Sequence, residues 1–211
     1  MNTFYVSPNQ VIKDKTEFAK KGIEKGRTTV SVKTTEGLLF VADNPSKLLF
    51  KTSEIYDKIG FAGAGKYSEF ENLRISGIQH ADLKGFNFSR NDVYGLDIAS
   101  LYSQALVHIF NNEVKPYEVE IIVGEFDVKE STIYHVSFDG TLTDKSLFSV
   151  IGGNSEILED KLNKLYKKKI PRDDAIKLLK QFINDETPSK TTNFEISILE
   201  DHSKERCFKR L

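Results

Sequence analysis

The sequence has little cysteine and no excess of charge. One cysteine, Cys207, cannot form a disulfide within a chain of 211 residues, which fits a reducing compartment. Lys and Arg number 30 and Asp and Glu number 31, so the net charge is -1. Because phosphate-binding surfaces normally carry a basic excess, we do not expect nucleic acid as a partner.

Long apolar runs and a secretory signal are also missing. No apolar stretch approaches the roughly 20 residues that span a bilayer. The first ten residues, MNTFYVSPNQ, lack a basic segment followed by an apolar one. We therefore expect a cytoplasmic protein with no membrane partner. With 39% hydrophobic residues, the chain has enough apolar surface for one sizeable core.

Local motifs for catalysis are absent too. The four histidines are His80, His108, His135 and His202, and none forms a metal-binding motif with another histidine or with Cys207. No serine lies in a nucleophile elbow. The sequence therefore predicts no catalytic residue, no metal site and no cofactor.

Hydrophobic periodicity predicts an α+β protein. Ser7 and Pro8 are typical of a helix start, so we expect a surface helix over 9–25 behind a tail of residues 1–8. After this helix, the periodicity predicts a group of strands, two helices, a second group of strands, two more helices and a last group of strands. Grouped strands and paired helices predict a sandwich of antiparallel sheets with helices on both outer faces. Outside the Lys51 stretch, strands are expected at 27–35, 38–42, 117–128, 131–138, 147–152, 194–200 and 206–211.

Three finer expectations follow from the same patterns. The strands before the first helix pair, including one strand in the Lys51 stretch, are expected to form an antiparallel meander. Asp139-Gly140 is expected to turn the chain from strand 131–138 into strand 147–152. No repeat or linker interrupts the pattern, so residues 1–211 are expected to be one domain with its sandwich core over 27–211.

A glycine-rich turn lies at the centre of the first half. Gly60 to Lys66 has the spacing G-x-x-x-x-G-K of a phosphate-binding loop, but Tyr67 stands where a Ser or Thr would bind Mg²⁺. The alternative interpretation is that Gly63 and Gly65 let a helix pack closely on a strand. A nucleotide-binding protein would need a parallel sheet, and the grouped strands favour the packing interpretation.

Several separated motifs in one order resemble a known family. They run from Tyr5 to Arg210 and include YVSPNQ, EFAKKGIEKG, LLFVADNPS, KTSEIYDKIGFAGAGKYSEFENLR and KPYEVEIIVGE. These motifs are similar to the α subunits of the bacterial, actinobacterial-type 20S proteasome. The resemblance implies a four-layer α-β-β-α sandwich of two antiparallel sheets, the fold of N-terminal-nucleophile hydrolases.

The resemblance also separates two branches of the family. Catalytic β subunits use an N-terminal threonine whose free amine serves as the base, tuned by a lysine and an aspartate. Asp43 and Lys51 look like the counterparts of that pair, but Arg27 stands at the threonine position. The chain is therefore expected to be a non-catalytic α subunit, with a β-type threonine peptidase as the alternative.

The family role implies partners and sites. Seven α subunits would form an outer ring that contacts the β subunits, and unfolded proteins would pass through it. The tail, with Phe4, Tyr5 and Pro8, would act as a gate. Lys51 would pair with the C-terminal carboxylate of a ring-shaped ATPase or another activator, and Gly65 and Lys66 would line the same pocket.

Overall fold

The computed structural model describes residues 7–186, 193–201 and 206–211. These residues form five α-helices, ten strands and a single 3-10 turn at Arg90–Asp92. The helices are α1 (Pro8–Glu24), α2 (Tyr67–Asn87), α3 (Gly95–Asn112), α4 (Ser155–Leu165) and α5 (Arg172–Glu186). The strands are β1 (Thr29–Lys33), β2 (Gly37–Asp43), β3 (Thr52–Tyr56), β4 (Ile59–Gly65), β5 (Val119–Glu125), β6 (Thr132–Val136), β7 (Leu142–Lys145), β8 (Phe148–Ile151), β9 (Phe194–Glu200) and β10 (Phe208–Arg210).

The strands form two five-stranded sheets. Their orders are β10-β9-β2-β1-β8 and β3-β4-β5-β6-β7, and every pairing among the described strands is antiparallel. This arrangement confirms the predicted antiparallel sandwich. The parallel sheet that a phosphate-binding loop requires is not there among the described strands, so the nucleotide-binding alternative is wrong.

Three apolar clusters hold the layers together. Side chains of α2 and α3, among them Phe70 and Tyr102, pack on the outer face of the β3-to-β7 sheet. Side chains of α4 and α5, among them Leu162 and Leu179, pack on the other sheet. A third cluster, which contains Phe40, lies between the sheets. The order of layers is therefore α-β-β-α.

Helix α1 lies outside the four layers. Ser7 Oγ accepts a hydrogen bond from Gln10 N at 3.3 Å, and Pro8 takes the first helical position, as predicted. Only Ala19 and Ile23 of this helix are buried, and they pack against Phe138. None of the described helices is both long and apolar enough to cross a bilayer.

The expected meander was wrong, because the first four strands belong to different sheets. β1 pairs with β2, whereas the Lys51 stretch forms two strands, β3 and β4, in the opposite sheet. A strand of alternating or apolar residues has the same local pattern in either sheet, so its partner depends on contacts distant in sequence. The connection from Asp43 to Thr52 crosses from one sheet to the other.

Strand β7 was missed for a different reason. Its sequence, Leu-Thr-Asp-Lys, has neither a β-branched run nor an apolar face, and it forms the edge of its sheet. The Asp139-Gly140 turn therefore joins β6 to β7, where the sequence predicted a connection to β8.

Candidate functional site

Lys51 lies just before β3, and three hydrogen bonds fix its position. Its carbonyl accepts from Gly63 N at 2.9 Å, which joins it to β4. Its backbone N–H donates to Glu195 Oε2 at 2.8 Å. Its side chain is held as well, because Nζ donates to the carbonyl oxygen of Arg27 at 2.6 Å. Both the backbone and the ammonium of Lys51 therefore have defined places.

Glu195, on β9, organises the backbone around Lys51. Besides Lys51 N, its carboxylate accepts from Thr52 N at 2.9 Å, Thr52 Oγ1 at 2.6 Å, Asn44 Nδ2 at 2.7 Å and Arg210 Nη1 at 2.9 Å. Burial would raise the pKa of Glu195, but the hydrogen bonds outweigh it and lower the pKa. The group is therefore ionised at neutral pH and ties β3 and β10 to β9.

Arg27 and Asp43 form an ion pair beside Lys51. Arg27 Nη1 lies 3.0 Å from each carboxylate oxygen of Asp43, whose side chain is 1% exposed. The backbone nitrogen of Arg27 is part of the chain that continues from α1, so it is an amide and not a free amine. The threonine mechanism needs a free amine as its base, and the residue at this position does not supply one.

The environment of Lys51 weakens its hold on a proton. Burial lowers the pKa of Lys51 to about 8, the negative charges of Asp43 and Glu195 oppose that change, and Arg27 adds to it. At neutral pH the side chain of Lys51 is therefore mostly in its protonated, ammonium form. A partly desolvated ammonium can pair with an anion more strongly than a fully solvated lysine can.

Gly65 ends β4 in a conformation that requires glycine. Its φ is +99°, and a Cβ there would run into the carbonyl oxygen of Glu118. Gly26 packs against it so closely that a Cβ on Gly26 would lie 2.8 Å from Gly65 N. The turn after α1 and the turn after β4 therefore contact each other through two glycines.

Lys66 follows at the start of α2, and its contacts lie on the α2 side. Its backbone N–H donates to Glu118 O at 2.9 Å, and its ammonium lies 3.3 Å from Glu69 Oε1. Glu69 also accepts from Lys115 Nζ at 2.6 Å and from Glu118 N at 2.7 Å. Glu69 therefore anchors the beginning of α2 to the segment that leads into β5.

The structure brings some of the predicted site residues together. Lys51 is opposite Gly63 in the β3–β4 hairpin, so Gly65 lies two residues farther along the same end of that hairpin. Lys66 is next in the chain, with its ammonium held by Glu69. Pro8 is exposed at the beginning of α1. Phe4 and Tyr5 lie outside the described residues, so the gate assignment stays a prediction.

Sequence reasoning missed three groups of this site: the carbonyl of Arg27, the backbone of Gly26 and the carboxylate of Glu195. An acid near the beginning of the apolar run FEISILE is a signal for Glu195, but its partners follow only from the pairing of β9 with β2. In the described part of the chain, no three His, Cys, Asp or Glu side chains lie close enough together to hold a metal ion.

Comparisons with known proteins find a matching family and several similar proteins. A family described as "Proteasome subunit" matches residues 23–199. The chain is 41% identical to a proteasome subunit alpha of Acidimicrobium ferrooxidans, over 99% of this chain and 91% of the relative. It is 38% identical to the one from Mycolicibacterium vanbaalenii and 40% identical to the one from Thermobifida fusca, each over 99% of this chain and 86% of the relative.

Proposed function

This chain belongs to the proteasome subunit family, as a non-catalytic α-type member, and we propose that seven copies form the outer ring of a 20S particle. In that particle the ring contacts β subunits that carry the peptidase activity. Unfolded proteins pass through it during intracellular protein degradation. The catalytic β-type alternative is excluded by the α-type identity of the relatives.

We propose further that Lys51 binds the C-terminal carboxylate of an activator such as a ring-shaped ATPase. The observation that carries this proposal is the placement of its ammonium: Nζ of the half-buried Lys51 is held by the carbonyl of Arg27 at 2.6 Å and remains accessible to a ligand. The net hydrogen-bond energy of such a charged pair is about 1.5–3 kcal/mol. Gly65 and Lys66 would form the adjacent wall, because they follow Gly63, the hydrogen-bond partner of Lys51, at the same end of the β3–β4 hairpin.

The tail of residues 1–8 is proposed as the gate of this ring. Support comes from its place in the chain: residues 1–6 directly precede Ser7, the cap of α1, and α1 lies outside the sandwich. Tyr5 and Phe4 would supply the apolar contacts of a closed gate, and Pro8 would set the direction in which the chain leaves the helix.

A double-mutant cycle tests the docking proposal. The particle is assembled from this chain and its β subunit, and binding is measured for an activator C-terminal peptide with a free carboxylate and for its amidated form. Lys51→Ala and amidation should each weaken binding by about one to two decades, and the two together by less than the sum. The matched control is Lys47→Ala, an exposed lysine four residues earlier. Additive losses would mean that the carboxylate and Lys51 do not meet.

A further inference from the structure

Glu120 places a buried carboxylate between the layers of the sandwich. It lies on β5, and its side chain is 12% exposed. Oε2 accepts a hydrogen bond from Gly152 N at 3.0 Å, and Oε1 lies 3.5 Å from Ser155 Oγ and 4.0 Å from His135 Nε2. Burial raises the pKa of Glu120, although the bonds from Gly152 and Ser155 act against that change.

A buried carboxylate of this kind is a poor source of stability. Removing an ionised group from water is unfavourable, and an apolar side chain of similar size at such a place often leaves the fold as stable or more so. Glu156 and Glu159 of α4 raise its pKa further, and the positive charge of Lys20 on α1 acts in the opposite direction. Its contacts therefore point to a role other than stability.

Those contacts lead directly to the Lys51 site. Gly152, the residue that Glu120 holds, has a φ of +74° and packs on Arg27, since a Cβ there would lie 2.7 Å from the Arg27 carbonyl oxygen. The next residue, Gly153, donates its N–H to Gly26 O at 2.8 Å. The Gly152–Gly153 turn thus packs against Gly26 and Arg27 and limits the movement of their backbone. The carbonyl of Arg27 in turn accepts the hydrogen bond from Lys51 Nζ.

We propose that Glu120 is a positioning residue for Lys51: by holding Gly152 it fixes the Arg27 carbonyl that orients the ammonium. The inference rests on the proposed docking of a terminal carboxylate at Lys51. A cation held in one place has less conformational freedom to lose when a ligand binds, so loosening its support weakens the complex.

The same strand supplies a matched control. Glu125, at the other end of β5, is also partly buried, accepts a backbone N–H from a glycine (Gly95 N, 2.9 Å) and has a pKa that burial raises. The two glutamates differ in location: Glu125 holds the beginning of α3, whereas Glu120 holds the turn against Arg27.

The test uses the assembled particle and the two activator peptides, one with a free C-terminal carboxylate and one amidated. Glu120→Met should weaken binding of the free-carboxylate peptide by about 3- to 10-fold, the effect of one hydrogen bond. The amidated peptide should bind it as it binds the wild type. Glu120→Gln keeps an acceptor for Gly152 N and should stay within about twofold of wild type, and Glu125→Met should bind both peptides normally.

Four outcomes separate the possibilities. Equal weakening of both peptides, or the same loss in Glu125→Met, would mean a general structural effect and would overturn the role of Glu120. Wild-type binding by Glu120→Met would overturn it too. If Glu120→Met fails to assemble, Glu120→Asp replaces it, because its shorter carboxylate cannot reach Gly152 N and should show the same carboxylate-specific loss. If the wild-type particle does not distinguish the two peptides, the docking proposal itself fails.

Discussion

Arg27, Asp43 and Lys51 form one cluster, in which each side chain makes a hydrogen bond or an ion pair with another member. The guanidinium of Arg27 pairs with Asp43, and the carbonyl of Arg27 accepts from Lys51 Nζ. A threonine peptidase needs a lysine and an aspartate near a free amine. Here the same two residue types surround an amide nitrogen and an arginine. What this site can offer is therefore a positively charged lysine in a fixed position, which can bind an anion and agrees with a non-catalytic subunit.

At the residue scale, docking should depend on pH through Lys51. Because the pKa of Lys51 is lowered to about 8, its ammonium is lost as the pH rises through that value. Binding of the free-carboxylate peptide should therefore weaken about tenfold between pH 7 and pH 9, whereas an ordinary lysine would change it less than twofold. Titration of peptide binding measures this. A flat profile for the wild type would contradict the assignment, and Lys51→Ala should be flat.

A second residue-scale prediction concerns catalysis. Trimming the chain so that Thr28 becomes the first residue should produce no peptidase activity. Thr28 lies one position beyond Arg27, which stands at the threonine position, and Thr28 is only 7% exposed. Trimming also removes the groups of Arg27 that contact Asp43 and Lys51. Hydrolysis of a fluorogenic peptide is the measurement, with the β subunit of the same particle as the positive control. Activity that a threonine-directed inhibitor blocks would refute it.

At the scale of elements, the turn from β4 into α2 connects the site to the rest of the chain. Gly65 accepts a backbone geometry that other residues avoid, and Lys66 N is bonded to Glu118 O. Glu69 then binds Lys115 and Glu118 N from the first turns of α2. Because these contacts join β4, α2 and the start of β5, the turn cannot move without moving the wall of the site.

Gly65→Ala should therefore destabilise the protein by at least the ~1–3 kcal/mol that a left-handed residue stores. The steric contact of the new Cβ with Glu118 O adds to that strain. Chemical denaturation of the purified chain measures the loss. Gly22→Ala is the control. Its new Cβ would meet the flexible side chain of Glu118, and the position lies inside a helix, where alanine is favoured over glycine by up to about 1 kcal/mol. Equal effects of both substitutions would argue against backbone strain at Gly65.

At the scale of the whole molecule, α1 packs on the sandwich mainly through its second half, next to β4 and β5. The second half of α1 is buried through Ala19 and Ile23. Lys15 adds two bonds from its ammonium, to Phe110 O and Glu113 O, both at 2.8 Å. The first turns of the helix are exposed. We therefore expect removal of the residues before Ser7 to leave these described contacts of α1 with the sandwich in place.

Deleting residues 2–6 should open the channel of an assembled particle. The deletion leaves Ser7, which caps α1, so the helix should stay intact. Degradation of an unfolded protein should rise, while hydrolysis of a short peptide, which can pass a closed gate, should change less. Size-exclusion mass should show an unchanged particle. Equal degradation rates before and after the deletion would contradict the gate assignment and leave the fold unaffected.

The sequence by itself determined the kinds of elements and the family. Periodicity located the helices and most strands because a helix stripe or a strand alternation is a local pattern. The absence of a threonine at position 27, with a helix before it, separated the α from the β branch. The resemblance to the family also pointed to Asp43 and Lys51 as one site, and in the structure both residues contact Arg27.

Only the tertiary structure decided which strands share a sheet and what Lys51 contacts. The pairing of β2 with β9, more than 150 residues apart, brings Glu195 under Lys51, and the turn after β8 brings Gly152 against Arg27. These contacts depend on register and on glycine backbones packing at short distance. The residue types alone do not reveal the register or the close packing of the glycines. A one-residue slip in register would turn each of these side chains to the other face of its sheet.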